Sequence, residues 1–152
     1  MNVSVSANPK FVWLQSRDRA SLRQALEFDL LEAISRQREI DLDEIQYRVT
    51  ETLIRLSRNP DNSRVDFRKI SRGAEWQLGE IRWQLQLSQG QFLLRLFVSG
   101  FPQAPRWLCL RFFKKSIFQD LRHTNASQDR AIDSALEILM KHQRNPIWVD
   151  IL

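Results

Sequence analysis

Three arginines in this chain sit inside runs that read as β-strands, and they carry its clearest chemical potential. Arg82 falls in Leu78–Leu87 (LGEIRWQLQL), Arg95 in residues 92–98 (FLLRLFV) and Arg111 in residues 106–113 (RWLCLRFF). A guanidinium at a buried or half-buried strand position is costly unless it is paired or opens on a groove. Lys114 and Lys115 follow directly after the last run, where side chains project from the end of a sheet. Arginine fits a phosphate as a bidentate fork, and lysine supplies a mobile point charge or a proton. Together such groups can hold a phosphodiester and stabilise a pentacovalent oxyanion without a metal ion. The same residues also admit a structural reading, in which Arg82 pairs with Glu80, or Arg95 with a nearby carboxylate, to tie strands together.

The charge distribution favours a polyanion. The net charge is +5 and the isoelectric point is near 10.0. Residues 1–57 carry 8 basic and 9 acidic side chains, whereas residues 58–152 carry 15 and 9. Residues 81–119 hold six bases (Arg82, Arg95, Arg106, Arg111, Lys114 and Lys115) and no acid. A local excess of one sign raises the potential of that surface and draws a polyanion. Its plainer alternative is a solvated face that aids solubility. Arg64 and Arg68, on an earlier strand, join Arg106 and Arg111 as candidate RNA contacts.

Other chemistries find little support. Glycines stand at positions 73, 79, 90 and 100, with no phosphate-binding loop pattern. His123 and His142 lack cysteine partners at metal-ligand spacing, so no metal site is expected, and no cofactor motif is present. His123, beside Asp120 and Arg122, reads as a polar-loop histidine with a minor claim to an acid–base role. Glu75 and Glu80 flank a turn, and nothing marks them as a catalytic pair. The single cysteine, Cys109, excludes an intramolecular disulfide and reads as a small buried hydrophobe. No apolar run nears the roughly 18 residues of a membrane span. The opening MNVSVSANPK lacks the apolar core of a signal peptide, so the cytoplasm is the expected compartment.

The elements that must position these residues follow from periodicity. Residues 10–14 (KFVWL) read as a short strand. Leu22, Ala25, Leu26, Leu30, Ala33 and Ile34 mark one face of a helix over about residues 17–38. Asp41 reads as an N-cap with Glu44 three positions on, opening a second helix with Ile45, Val49, Thr52, Leu53 and Leu56 on its apolar stripe. Asn59 and Pro60 close it. The period then falls towards two: residues 64–70 alternate imperfectly, Leu78–Leu87 cleanly, and residues 88–91 turn the chain into a nearly all-apolar central strand at 92–98. Residues 99–105 form a loop, 106–113 a further strand, and Asn125 or Ser127 caps a last helix. The expectation is one α+β domain: an N-terminal strand and an αα-hairpin packed on a central antiparallel sheet, with a C-terminal helix. The apolar tail at 146–152 should dock as an edge strand or meet a partner through Ile147, Trp148, Val149, Ile151 and Leu152.

The order of the strand motifs resembles the RelE/ParE superfamily, and more narrowly its HigB-like, phage-derived branch. That family shows an E-[LI]-R strand, an R-[VL]-[FL]-[YF] strand, a strand ending F-x-K-K-[ST], and a helix. Here the corresponding stretches are Glu80-Ile81-Arg82, Arg95-Leu96-Phe97-Val98, Phe112-Phe113-Lys114-Lys115-Ser116 and an alanine-bearing helix near residues 132–139. The likeness covers about residues 10–140, with its motifs confined to 78–116. It implies a RelE-like domain over residues 1–152 and a toxin of a type II toxin–antitoxin pair. Such a toxin is an endoribonuclease that cuts mRNA, usually on the ribosome, and is held by a cognate antitoxin protein. Carried over by position, Arg82, Arg95, Lys114 and Lys115 become catalytic: a ribose 2′-OH attacks the adjacent phosphate while the cations stabilise the transition state. The chain departs from the family in its longer first helix and tail and in the loop at 99–105. It also lacks a Tyr or His where many members keep an acid–base group, which leaves the general acid and base unassigned. The competing expectation is a non-catalytic nucleic-acid- or partner-binding module on the same fold.

Overall fold

The computed structural model describes residues 11–14, 16–31, 33–34, 38–60, 66–115, 121–141 and 148–151. Its centre is a hairpin of β3 (Leu78–Leu87) and β4 (Gly90–Ser99), paired along its whole length from Leu78 opposite Ser99 to Leu87 opposite Gly90. Gly90, at φ 110°, takes the left-handed backbone that the tight turn requires. On one side β3 meets the short β2 (Phe67–Lys69). On the other, β4 meets β5 (Trp107–Lys115), followed by β1 (Phe11–Leu14) and β6 (Trp148–Val149). The α+β class fits the expectation, but the sheet is mixed, because β1 runs parallel to β5. Parallel strands are buried on both faces. Phe11, Val12 and Trp13 accordingly show no alternation, each being buried.

Helices cover both faces of the sheet. Leu22, Ala25 and Leu26 of α1 (Leu22–Asp29), with Ile45, Val49, Leu53 and Leu56 of α2 (Arg38–Arg58), share one core with Ile81, Trp83, Leu85, Leu94 and Leu96. Across the sheet, Leu78, Phe97 and Leu110 pack on Ala131, Ile132, Ala135 and Leu139 of α3 (Leu121–Lys141). The polar alternates of the strands therefore line a face that α3 partly covers. A bulge in β5 leaves Phe97 opposite Arg111 and Val98 opposite Cys109, with Leu110 as the extra residue. Among the described residues, no helix is long and apolar enough to cross a membrane.

Several boundaries differ from the sequence reading, each for a local reason. The first helix is shorter: a 3₁₀ turn at Arg17–Arg19 precedes α1, whose N-cap Ser21 accepts the Gln24 N–H at 3.1 Å. Asp41 does not cap α2, which begins at Arg38. Instead its buried carboxylate accepts the Ser88 N–H at 3.0 Å and the Ser88 hydroxyl at 2.6 Å, pinning the β3–β4 turn to α2. Helix α3 begins at Leu121, ahead of Asn125 and Ser127, so His123 lies in a helix and not in a loop. Strand β5 extends through Lys114 and Lys115, which are strand residues and not the flank of one.

The tail docks as an edge strand. Trp148 and Val149 stand opposite Leu14 and Trp13, and the Ile151 carbonyl accepts the Leu22 N–H at 3.2 Å at the start of α1. Ile147 and Leu152 lie outside the described residues.

Candidate polyanion-binding face

Strand register brings the first two candidate arginines together. Arg82 on β3 stands directly opposite Arg95 on β4, and Arg68 on β2 stands opposite Glu80 on β3. Because alternate residues share a face, these four side chains occupy one patch on the α3 side of the sheet. Arg68 is exposed and Arg82 half-buried, whereas Arg95 and Glu80 are 9% and 3% exposed.

Arg95 is held from several directions. Its Nη1 donates to the carbonyls of Leu94 at 3.0 Å and Trp83 at 3.4 Å, and its Nε lies 3.8 Å from Glu80 Oε1. Burial, together with the charges of Arg82 and Arg68, holds its guanidinium below the usual arginine range against the pull of Glu80. The Nε atoms of Arg82 and Arg95 and Oε2 of Glu80 are buried without a hydrogen-bond partner. Arg95 is thus the guanidinium within ion-pair distance of Glu80, and it feels the charges of Arg82 and Arg68 as well.

Strand β2 begins at Phe67, opposite Ile81, so among the described residues β3 beyond Ile81 has no strand on its outer side, and a cavity of about 340 Å³ opens there. The Asp66 carbonyl takes the Arg82 N–H at 2.6 Å. The Trp83 indole N–H donates to Thr52 Oγ1 at 2.8 Å, which fixes α2 against this edge. Arg48 and Arg55 of α2 join Arg82 and Arg95 in the lining, with Glu51 and Asp66 as its acids. Arg55 pairs with Asp66 at 2.7 Å. Four arginines against two carboxylates leave the cavity cationic, an arrangement suited to phosphate.

The remaining candidates scatter. Strand alternation sends Lys114 and Lys115 to opposite faces: Lys115 stands opposite Leu93 on the arginine face, while Lys114 stands opposite Leu94 with its Nζ 5.2 Å from the Phe92 ring centre. Arg111 turns to α3 and donates to Ser134 Oγ at 2.7 Å. Arg106 is exposed just before β5, at the other end of that strand from Lys115. Arg64 lies outside the described residues. Cys109 is fully enclosed, and burial pushes its thiol well up, which keeps it neutral and unreactive.

Sequence reasoning missed Arg48 and Arg55, and it offered Glu80 as a partner of Arg82 where the structure sets it 3.8 Å from Arg95. The two helical arginines occupy the polar side of an amphipathic helix, and no sequence signal tells which strand edge they overhang. Glu80 carried a weak signal, as a carboxylate two positions from Arg82 on the same strand face. No family model, no curated protein and no solved structure matches the chain.

Proposed function

We propose that this domain binds RNA on the arginine face and cleaves it without a metal ion, as the toxin of a type II toxin–antitoxin pair. The observation that carries the reading is the Arg82–Arg95 pair. Like charges directly opposite on a sheet face destabilise it, and an anion bound between them relieves that repulsion. Each guanidinium keeps a buried Nε with no hydrogen-bond partner. The order of a strand, two helices, the antiparallel run β3–β5 and a helix, with β2 and β6 added at the edges of the sheet, supports the reading.

In this account Arg82 and Arg68 contact the phosphodiester, Arg95 supplies a fixed positive field held by Glu80, and Lys115 extends the site onto β5. The 2′-OH gives its proton to water and attacks the adjacent phosphorus, the P–O5′ bond breaks to leave a 2′,3′-cyclic phosphate, O5′ takes a proton from water, and the guanidiniums stabilise the oxyanion between. Controlled expression with primer extension on cellular mRNA tests it. Growth arrest with discrete cuts, abolished by Arg82→Ala, is expected. Harmless expression of folded wild-type protein contradicts it.

One observation favours a second reading, a non-catalytic RNA-binding module. Lys114 is turned away from the arginines and the Nη1 of Arg95 is committed to main-chain carbonyls, so fewer groups remain for chemistry. Salt-dependent RNA binding without cleavage would select that module.

A further inference from the structure

A second cavity, of about 490 Å³, lies at the opposite edge of the central strands, where β1 has stopped pairing and β5 continues past Cys109. Its size falls within the range of small-ligand sites. Three buried polar atoms on its lining residues have no hydrogen-bond partner: Ser16 Oγ, Arg19 Nε and Arg111 Nε. Buried polar groups are normally satisfied, and a cluster of exceptions in one cavity calls for an explanation.

The charges around the cavity pair off unevenly. Asp29 is engaged by Arg19 and by the Phe112 N–H at 2.9 Å. Glu137 pairs with Lys141 at 3.2 Å. Asp18 is an exposed residue at the cavity. Arg111 remains, bonded to the neutral Ser134 hydroxyl and with no carboxylate in ion-pair contact among the described residues. Asp29 feels its charge at a distance but makes its own contacts elsewhere. The other walls are apolar, formed by Leu14, Phe28, Leu110 and Ile138.

We infer that this cavity is a second ligand site, separate from the RNA face, for a small oxyanion on a short apolar stem. The head is a carboxylate or phosphate monoester that pairs with the Arg111 guanidinium among the cavity's polar lining residues, Ser16, Arg19 and Ser134. The stem lies against the apolar walls. An arginine flanked by hydroxyls suits either head as a charge-assisted donor set.

Calorimetric titration of the full chain with sodium benzoate, sodium phenyl phosphate and neutral benzyl alcohol tests the inference. Saturable one-to-one binding of at least one anion is expected, and the anion that binds identifies the head group. Arg111→Gln should weaken it about tenfold or more, the usual effect of losing a charge-assisted hydrogen bond. Lys69→Gln, at an exposed position on β2 that lines neither cavity, should leave it unchanged. If Arg111→Gln does not fold, the double variant Ser16→Ala, Ser134→Ala takes its place under the same criterion. Absence of saturation by both anions overturns the inference. So does equal binding of benzyl alcohol, undiminished binding by the cavity variant, or loss of binding in Lys69→Gln.

Discussion

Arg82 and Arg95 face each other across β3 and β4, two guanidiniums at directly opposed positions of one sheet face. They are unequal partners. Arg95 is buried, bonded to main-chain carbonyls and close to Glu80, whereas Arg82 is half-buried and lines the cavity at the β3 edge. In the proposed function Arg95 holds the field and Arg82 meets the ligand, so the two substitutions are expected to behave differently.

Replacing Arg82 by Ala should leave folding stability unchanged or raise it by up to about 1 kcal/mol, through relief of cross-strand repulsion. RNA binding should weaken, and the slope of log affinity against log salt should shallow by about 0.7, one phosphate contact on a single strand. Fluorescence anisotropy with a labelled single-stranded RNA across a salt series checks both. An unchanged slope removes Arg82 from the phosphate contacts.

Arg95→Ala should instead destabilise the fold by about 3–5 kcal/mol, because it strands the buried Glu80 carboxylate without its cation. Urea denaturation measures this directly. A variant as stable as the parent would show that the Glu80–Arg95 pair does not hold the hairpin together.

Asp41 carries a comparable burden at the far end of the hairpin. Asp41→Ala removes both bonds to Ser88 and should cost about 1–3 kcal/mol, whereas Ser88→Ala, which spares the main-chain bond, should cost about 1 kcal/mol. Thermal unfolding of the two variants side by side tests the ranking. Equal losses would mean that the main-chain bond contributes nothing.

Much of this fold was legible from pattern alone, because burial follows period. The alternation of Ile81, Trp83 and Leu85 with Gln84 and Gln86 gave β3 its buried and wet faces, and the apolar run Phe92–Val98, broken only by Arg95, placed β4 at the centre. What stayed hidden were relationships that only tertiary packing creates. Asp41 has the spacing of a capping residue, yet its partner is Ser88, far along the chain. The parallel pairing of Phe11 with Trp107 leaves only a short apolar run, which does not name its partner strand. Within the candidate site, Arg82 and Arg95 were identifiable because charge inside a strand pattern is anomalous. The adjacent lysines looked like one feature, and period two on a strand necessarily divides them.

Asp29 supplies a test by pH. Its side chain is 2% exposed, and burial holds its carboxyl above the ordinary value of 3.8 despite Arg19, the Phe112 N–H and Arg111. The folded state therefore retains the proton to higher pH than the unfolded chain does, so stability from this group is full below about 3.8 and is lost as pH rises through the raised folded value. The stability of the wild type minus that of Asp29→Asn should fall over this window and level off above it. Chemical denaturation of both proteins at several pH values measures the difference. A difference that grows with pH would show that the ion pair with Arg19 outweighs burial.

The central claim is that the arginine face acts on an RNA phosphodiester, and single-turnover cleavage by wild type and Arg82→Ala, with affinity measured in parallel, tests it most directly. The account predicts metal-independent cleavage by the wild type. In Arg82→Ala the rate should fall on the order of 100- to 1,000-fold, as for loss of an oxyanion donor. Affinity should fall much less, which places the loss in the transition state. Wild-type protein that binds RNA without cutting it, or Arg82→Ala that cuts at the wild-type rate, would contradict the account.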